Sequence, residues 1–210
     1  MTSPSPPKSP AHIVLLGLMG AGKTTVGRAL AARLGRPLDD SDLSIESSQG
    51  ATVRELSERL GVAAMHRLEA EHLLAALGNP EPSIVCAAAS VVEHQACVEA
   101  LRRADVFPVW LELDVATLAA RFSSGPHRPV LDADAATLFH RQLAERSRRF
   151  AAVARARVPV AGRTPEAIAA EIAAAIAGSG GGGGADSDAD PGADSDADPG
   201  ADSDADSGAE

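Results

Sequence analysis

The chain has 210 residues, 45% of them apolar, enough for one globular domain with a real core, and no stretch is long and apolar enough to span a bilayer. Its formal charge of −10 sits at one end: from Ala185 onward there are nine Asp, one Glu and no Lys or Arg. Setting that tail aside leaves residues 1–184 with 19 acids against 19 Lys and Arg, a neutrality that excludes a broad nucleic-acid surface. The two cysteines, Cys86 and Cys97, make neither a disulfide framework nor a metal site, and they point to a reducing, cytoplasmic setting.

Residues 1–11 are rich in Pro and Ser with no apolar signal core, and read as a disordered lead-in. Residues 12–16 are short, β-branched and closed by Gly17, the pattern of a buried strand. Residues 23–34 carry Val26, Ala29, Leu30 and Leu34 at helical spacing and are stopped by Gly35 and Pro37. Residues 37–42, Pro-Leu-Asp-Asp-Ser-Asp, look like a short strand running into an acidic turn. Helices are expected over 53–60 and 63–77, the second with Leu68, Leu73, Leu74 and Leu77 facing inward. Residues 83–90 form a buried strand and the loop after it, and 93–103 a helix. Residues 106–113 form another strand, which Pro108 suggests lies at an edge or begins there. A short helix over 117–122, a loop over 123–134, a long arginine-studded helix over 136–156, a strand over 158–161 and a helix over 165–177 complete the domain, 12–177. Residues 178–184 are a glycine hinge. Residues 185–210 repeat Ala-Asp-Ser-Asp-Ala-Asp-Pro-Gly twice and then degenerately, a solvated, self-repelling tail.

Strands that are nearly uniformly apolar and alternate with helices imply an α/β fold: a five-stranded parallel sheet flanked by helices in three layers. Ligands of such sheets bind beyond the carboxyl ends of the strands. There the chain places Gly17-x-x-x-x-Gly22-Lys23-Thr24 between an apolar strand and an amphipathic helix, the phosphate-loop pattern in its proper context. Glycines let the backbone curl until successive N–H groups face one oxyanion, and the helix adds its positive end. Lys23 supplies a point charge to the outer phosphates and the Thr24 hydroxyl can ligate Mg²⁺. The cofactor-binding residues expected from this loop are Gly20, Ala21, Gly22, Lys23, Thr24 and Thr25. Asp40 and Asp42, two residues apart at a strand exit, can point at the same pocket.

The stretch Gly-Leu-Met-Gly-Ala-Gly-Lys-Thr-Thr-Val-Gly-Arg-Ala-Leu through Asp42 resembles the opening of the shikimate kinase family, and the likeness extends over most of residues 12–176. The resemblance implies a P-loop fold with a lid loop, use of ATP with Mg²⁺, and phosphoryl transfer to a hydroxyl of a small molecule. In that family Asp40 would sit near the metal's water shell, and Asp42 would hold the acceptor hydroxyl and help remove its proton. His-Arg-Pro-Val-Leu (127–131) resembles the family's lid, so Arg128 would close over the transferring phosphates, with Gly125, Pro126 and Pro129 suiting a loop that swings. Arg146 maps to a substrate-binding arginine, with Arg148 and Arg149 as rivals in the same run. Arg163, in Gly-Arg-Thr-Pro, would stack on the adenine.

The acceptor half departs from the family at two places. His66 stands where the family has an arginine that grips the substrate carboxylate; a histidine is shorter, half-neutral near pH 7 and unable to offer a two-pronged fork. Ala88, Ala89 and Ser90 stand where the family has three glycines, and any of them needing positive φ would cost on the order of 1 kcal/mol. These three with His66, Asp42 and Arg146 are the expected substrate residues. Lys23, Asp42 and Arg128 are the expected catalytic ones, and Thr24 and Asp40 the expected metal ligands. Shikimate is the first acceptor the resemblance implies, with another polyol or hydroxy acid as the rival. The competing class is a non-catalytic ATP-binding module. A monomer that binds neither membrane nor nucleic acid is expected.

Overall fold

The computed structural model describes residues 10–114, 117 and 135–179. Outside them lie most of the lead-in, most of the helix expected over 117–122, the lid loop with Gly125, Pro126, Arg128 and Pro129, and all but the start of the hinge and the tail.

Five parallel strands, β1 (His12–Leu16), β2 (Leu38–Asp40), β3 (Ser83–Cys86), β4 (Val106–Glu112) and β5 (Ala156–Pro159), form one sheet in the order β2-β3-β1-β4-β5. β1 is central: His12 pairs with Ser83 on one side and Val106 on the other. All five of its residues are buried, as a strand covered on both faces requires. His12 is itself 1% exposed, and its ring meets the Ser83 hydroxyl at 3.0 Å, which satisfies a polar group at the foot of the sheet. β4 is an interior strand, so the edge position suggested by Pro108 is not found. Pairing of β4 with β5 begins at Val109, and Pro108 contributes only its carbonyl, to the Arg155 N–H at 2.8 Å. The missing proline N–H therefore falls before the ladder starts, where it costs no strand bond.

The helices are α1 (Lys23–Leu34), α2 (Ser41–Gln49), α3 (Val53–Leu60), α4 (Val62–Gly78), α5 (Gln95–Leu101), α6 (Ala135–Val153) and α7 (Pro165–Ser179), with a 3₁₀ turn at Ala89–Glu93. α1 packs on α7, while α4, α5 and α6 meet around the 3₁₀ turn. α1 ends on Gly35 in the left-handed conformation, φ 62°, the C-cap the sequence announces. α3 opens with a reciprocal capping box between Thr52 and Glu55. In α4, Leu73 and Leu77 are buried but Leu74 is 37% exposed, so the inward face is narrower than expected. The helix over 93–103 proves shorter, because its first residues belong to the 3₁₀ turn. Among the described residues no helix is long and apolar enough to cross a membrane.

The acidic turn expected after β2 is in fact the start of a helix. Asp40 is the N-cap of α2, its carboxylate accepting from the Asp42 N–H, and Gly50 at φ 66° ends the helix. α2, α3 and α4 close over a small core of their own, Ile45, Leu56 and Met65, apart from the main core around the sheet. Asp39 ties this unit down, accepting from the Ser44 hydroxyl at 2.6 Å and meeting His72 Nε2 at 3.1 Å. These hydrogen bonds, His72 first, hold the Asp39 carboxyl below its ordinary range.

Where α1 crosses β3 the fit is close. A Cβ on Gly27 would lie 2.7 Å from Cys86 Sγ and 2.9 Å from Leu38 Cδ1. The Cys86 thiol donates to the Lys23 carbonyl at 3.2 Å, and burial pushes its pKa up to about 12. Gly27→Val is expected to destabilise the fold by about 2 kcal/mol through overpacking, read as a fall in melting temperature. Gly78→Ala, where a Cβ meets nothing within 4 Å, should leave it unchanged or slightly raised. Burial also raises the Cys97 thiol to about 11. A thiol reagent at pH 8 should therefore titrate neither cysteine in the native chain and both after denaturation.

Candidate active site

The site grows from the junction of β1 and α1. Gly17, Gly20 and Gly22 all have positive φ, 148°, 87° and 91°, values that favour glycine. Gly17 is doubly fixed, since a Cβ there would lie 2.8 Å from the Leu111 carbonyl. The loop so formed delivers Lys23 as the first residue of α1, and Gly22 as its N-cap supplies no side chain to block the first turn. The Lys23 ammonium turns back over the loop and donates to the Gly17 carbonyl at 2.8 Å and the Leu18 carbonyl at 3.3 Å. Burial lowers its pKa below 10.5; the charges of Asp42, then Cys86 and Asp40, act against that shift.

Thr24, one residue on, donates its hydroxyl to Asp40 Oδ2 at 2.6 Å. The other oxygen of Asp40 accepts from the Asp42 N–H at 3.2 Å. Two adjacent oxygens of different residues thus face the loop, a hard donor pair of the kind that suits Mg²⁺, which keeps most of its remaining ligands as water and phosphate. Asp42 lies in the first turn of α2, an exposed residue whose charge acts on Lys23. Loss of water around its carboxyl raises its pKa above 3.8, and Lys23 pulls the other way. A cavity of about 410 Å³ beside Thr24 and Asp40 runs between α1 and α2, toward Arg28 and Ser44, and does not cover the glycines.

The acceptor-side residues come together on two carboxylates that the sequence reading does not single out. Ser90 donates its hydroxyl to Glu69 in a short hydrogen bond. Burial raises the Glu69 carboxyl above its usual range, against the Ser90 hydrogen bond and the charges of His66 and Arg146. Glu93 accepts from Arg146 Nε at 2.7 Å and lies 3.7 Å from His66 Nδ1. Arg149 turns elsewhere, toward the Val92 carbonyl at 3.4 Å, and Arg148 is exposed, so Arg146 alone of the three rivals joins the cluster. Ala88 has φ −62° and ψ 152°, ordinary extended backbone, so its methyl group brings no strain. Ala89 and Ser90 follow in the 3₁₀ turn. Glu69 was legible in principle, three residues after His66 on the same helix face; Glu93 was not, because only the fold brings it to Arg146, 53 positions away.

Arg163 sits beyond β5, its guanidinium donating to the Pro159 carbonyl at 3.1 Å and pairing with Glu171 of α7 at 2.6 Å. It is placed on the far side of β4 from the acid cluster and is held by its own neighbours. Arg128 lies outside the described residues.

Comparison with known proteins agrees with this geometry. The family model described as shikimate kinase matches residues 19–177. A shikimate kinase of Corynebacterium efficiens is 37% identical over 161 residues, covering 76% of this chain and 93% of that protein. One of Symbiobacterium thermophilum is 38% identical over 164 residues, covering 77% and 93%. Among solved structures, the shikimate kinase of Acinetobacter baumannii in complex with shikimate superposes with a TM-score of 0.76 at 27% identity, covering 82% of this chain and 96% of that one. A family match over most of the domain, relatives above one-third identity and a shared sheet with a phosphate loop at its centre lead to one conclusion: the chain belongs to the shikimate kinase family.

Proposed function

We propose that the chain transfers the γ-phosphoryl group of ATP to a hydroxyl of shikimate. The observation that supports this reading is the 2.6 Å Thr24–Asp40 hydrogen bond, which ties the first turn of α2, with Asp42 in it, to the start of α1, where the charges of Lys23 and Asp42 act on each other. A base for the acceptor and a cation for the phosphates would thereby act close to each other.

In this reading Asp42 accepts a hydrogen bond from the acceptor hydroxyl and takes its proton as the oxygen attacks the γ-phosphorus in line. The bond from that phosphorus to the β–γ bridging oxygen breaks, and ADP leaves. Lys23 exchanges its two loop carbonyls for phosphate oxygens and meets the charge that builds on them. The backbone N–H groups from Gly20 to Thr25 hold the phosphates at the positive end of α1. Thr24 and Asp40 would hold Mg²⁺, which supplies charge neutralisation at the phosphates when bound. Arg128, from the lid, is proposed to close over the transferring group and exclude water. Arg163 is proposed to border the adenine. His66, Arg146 and the Ala88–Ala89–Ser90 loop are proposed to shape the acceptor side.

Asp42→Asn tests the reading. ADP release coupled to shikimate should fall by about a thousandfold or more in kcat, while ATP affinity measured by calorimetry should change by less than about threefold. A chain that binds ATP but turns over neither shikimate nor other hydroxy acids would be the non-catalytic module instead. The pH profile is a second check. A base works ionised, and the carboxyl of Asp42 is raised above 3.8. The acid limb of kcat/KM should therefore lie above that value, with activity gained as pH rises through it, and the limb should be absent from whatever activity Asp42→Asn retains.

A further inference from the structure

Three elements far apart in the chain meet at one carboxylate. Arg146 comes from α6, His66 from α4, and Glu93 closes the 3₁₀ turn that follows β3. The Arg146–Glu93 contact, 2.7 Å, is a charge-assisted hydrogen bond; the His66–Glu93 approach, 3.7 Å, is an ion-pair distance rather than a hydrogen bond. The side chain of Arg146 is 14% exposed, that of His66 28% and that of Glu93 33%. Such partly dehydrated charges hold one another more firmly than an exposed pair does.

This cluster is continuous with the phosphate loop. The charges of Arg146, His66 and Asp42 all reach Glu69, and Asp42 in turn senses Lys23. An acceptor whose hydroxyl lies on Asp42 therefore has Glu69, His66 and Arg146 as its next charged neighbours. Among the described residues the cations whose charges act on Glu69 are Arg146 and, when protonated, His66; both already face Glu93. A carboxylate on the acceptor would have to share Arg146 with Glu93 or displace it, in the presence of a like charge. An acceptor with the same hydroxyls and no charge meets no such competition.

We propose that Glu93 is a specificity-determining residue: it occupies Arg146 and His66 in place of the acceptor's own carboxylate, and so lowers the preference of the site for an acidic over an uncharged polyol. This rests on the reading of the reaction given above. Glu93 acts through Arg146 and touches no reacting atom, so its effect belongs in acceptor binding and in charge discrimination.

The experiment compares shikimate with its methyl ester, which keeps the ring and hydroxyls and loses the charge, in the wild-type chain, E93Q and E93D. For E93Q the KM for shikimate should fall by about tenfold, with the change carried in KM rather than kcat, while the KM for the ester moves by less than about twofold. E93D keeps the negative charge and should keep the wild-type ratio of acid to ester. A KM for shikimate that is unchanged or raised in E93Q overturns the proposal. So does an equal shift for acid and ester, or an E93D chain that behaves as E93Q does, since each marks a structural role. Binding of both compounds is followed in parallel by calorimetry with a non-hydrolysable ATP analogue. If E93Q binds the acid more tightly and yet no variant phosphorylates it, the assigned reaction fails and the role of Glu93 stands.

Discussion

The backbone at the carboxyl end of β1 turns through Gly17, Gly20 and Gly22, all at positive φ, before α1 begins. That turn constrains much of what surrounds it. Gly17 has no room for a side chain against the Leu111 carbonyl of β4, so the loop position depends on the neighbouring strand. Lys23 then enters α1 half-buried, with its ammonium folded over the loop, and the loss of water around it is tolerable because carboxylates stand near it. Asp42 and Asp40 are those carboxylates. They arrive through β2 and the first turn of α2, and Asp40 serves both as helix cap and as partner of Thr24. One residue therefore sets the geometry of the helix and of the oxygen pair beside the phosphate loop.

The two halves of the cleft are built on different physical footings. On the side proposed for the nucleotide stand the backbone dipoles of the loop and, among the described residues, the Lys23 ammonium. On the side proposed for the acceptor, among the described residues, Glu69 and Glu93 meet Arg146 and His66. Glu69 is kept with a raised pKa by burial and is bound by Ser90, so its demand on the cations is softened. Glu93 is bound instead by Arg146. His66 adds a further cation only when protonated. The alanines after β3, by contrast, cost little, since Ala88 lies in an ordinary extended conformation.

Much of this was readable from the residues. The bounds of α1 follow from Gly22 and Gly35, and those of α3 from Thr52, Glu55 and Gly61, because capping is local chemistry with local signals. β1, β3 and β4 follow from apolar runs; β2 is Leu-Asp-Asp, and β5 begins at Ala156, two residues before the expected 158–161. What escaped was α2: Ser-Asp-Leu-Ser-Ile-Glu-Ser-Ser-Gln is serine-rich, and only Ile45 is buried among its apolar residues, too sparse a period to announce a helix. Its N-cap, Asp40, lies in the stretch that reads as an acidic turn. Pro108 misled because a proline is harmless wherever the neighbouring ladder has yet to start, which only register reveals. Leu74 has the composition of a core residue and the position of a surface one. The phosphate-loop motif marks Lys23 and Thr24, the strand exit marks Asp40 and Asp42, and the Thr24–Asp40 hydrogen bond joins the two pairs. Glu93 could not be marked, because its partners come from α4 and α6 and no local pattern joins them.

The central claim is that the loop after β1, with Lys23, captures the triphosphate of ATP. Titration calorimetry of magnesium–ATP into the wild-type chain and Lys23→Met tests it most directly. The account predicts saturable one-to-one heat for the wild type and affinity weaker by about tenfold or more for the variant, as loss of one charge-assisted contact requires. No heat from the wild type, or equal affinity in the two proteins, would contradict it.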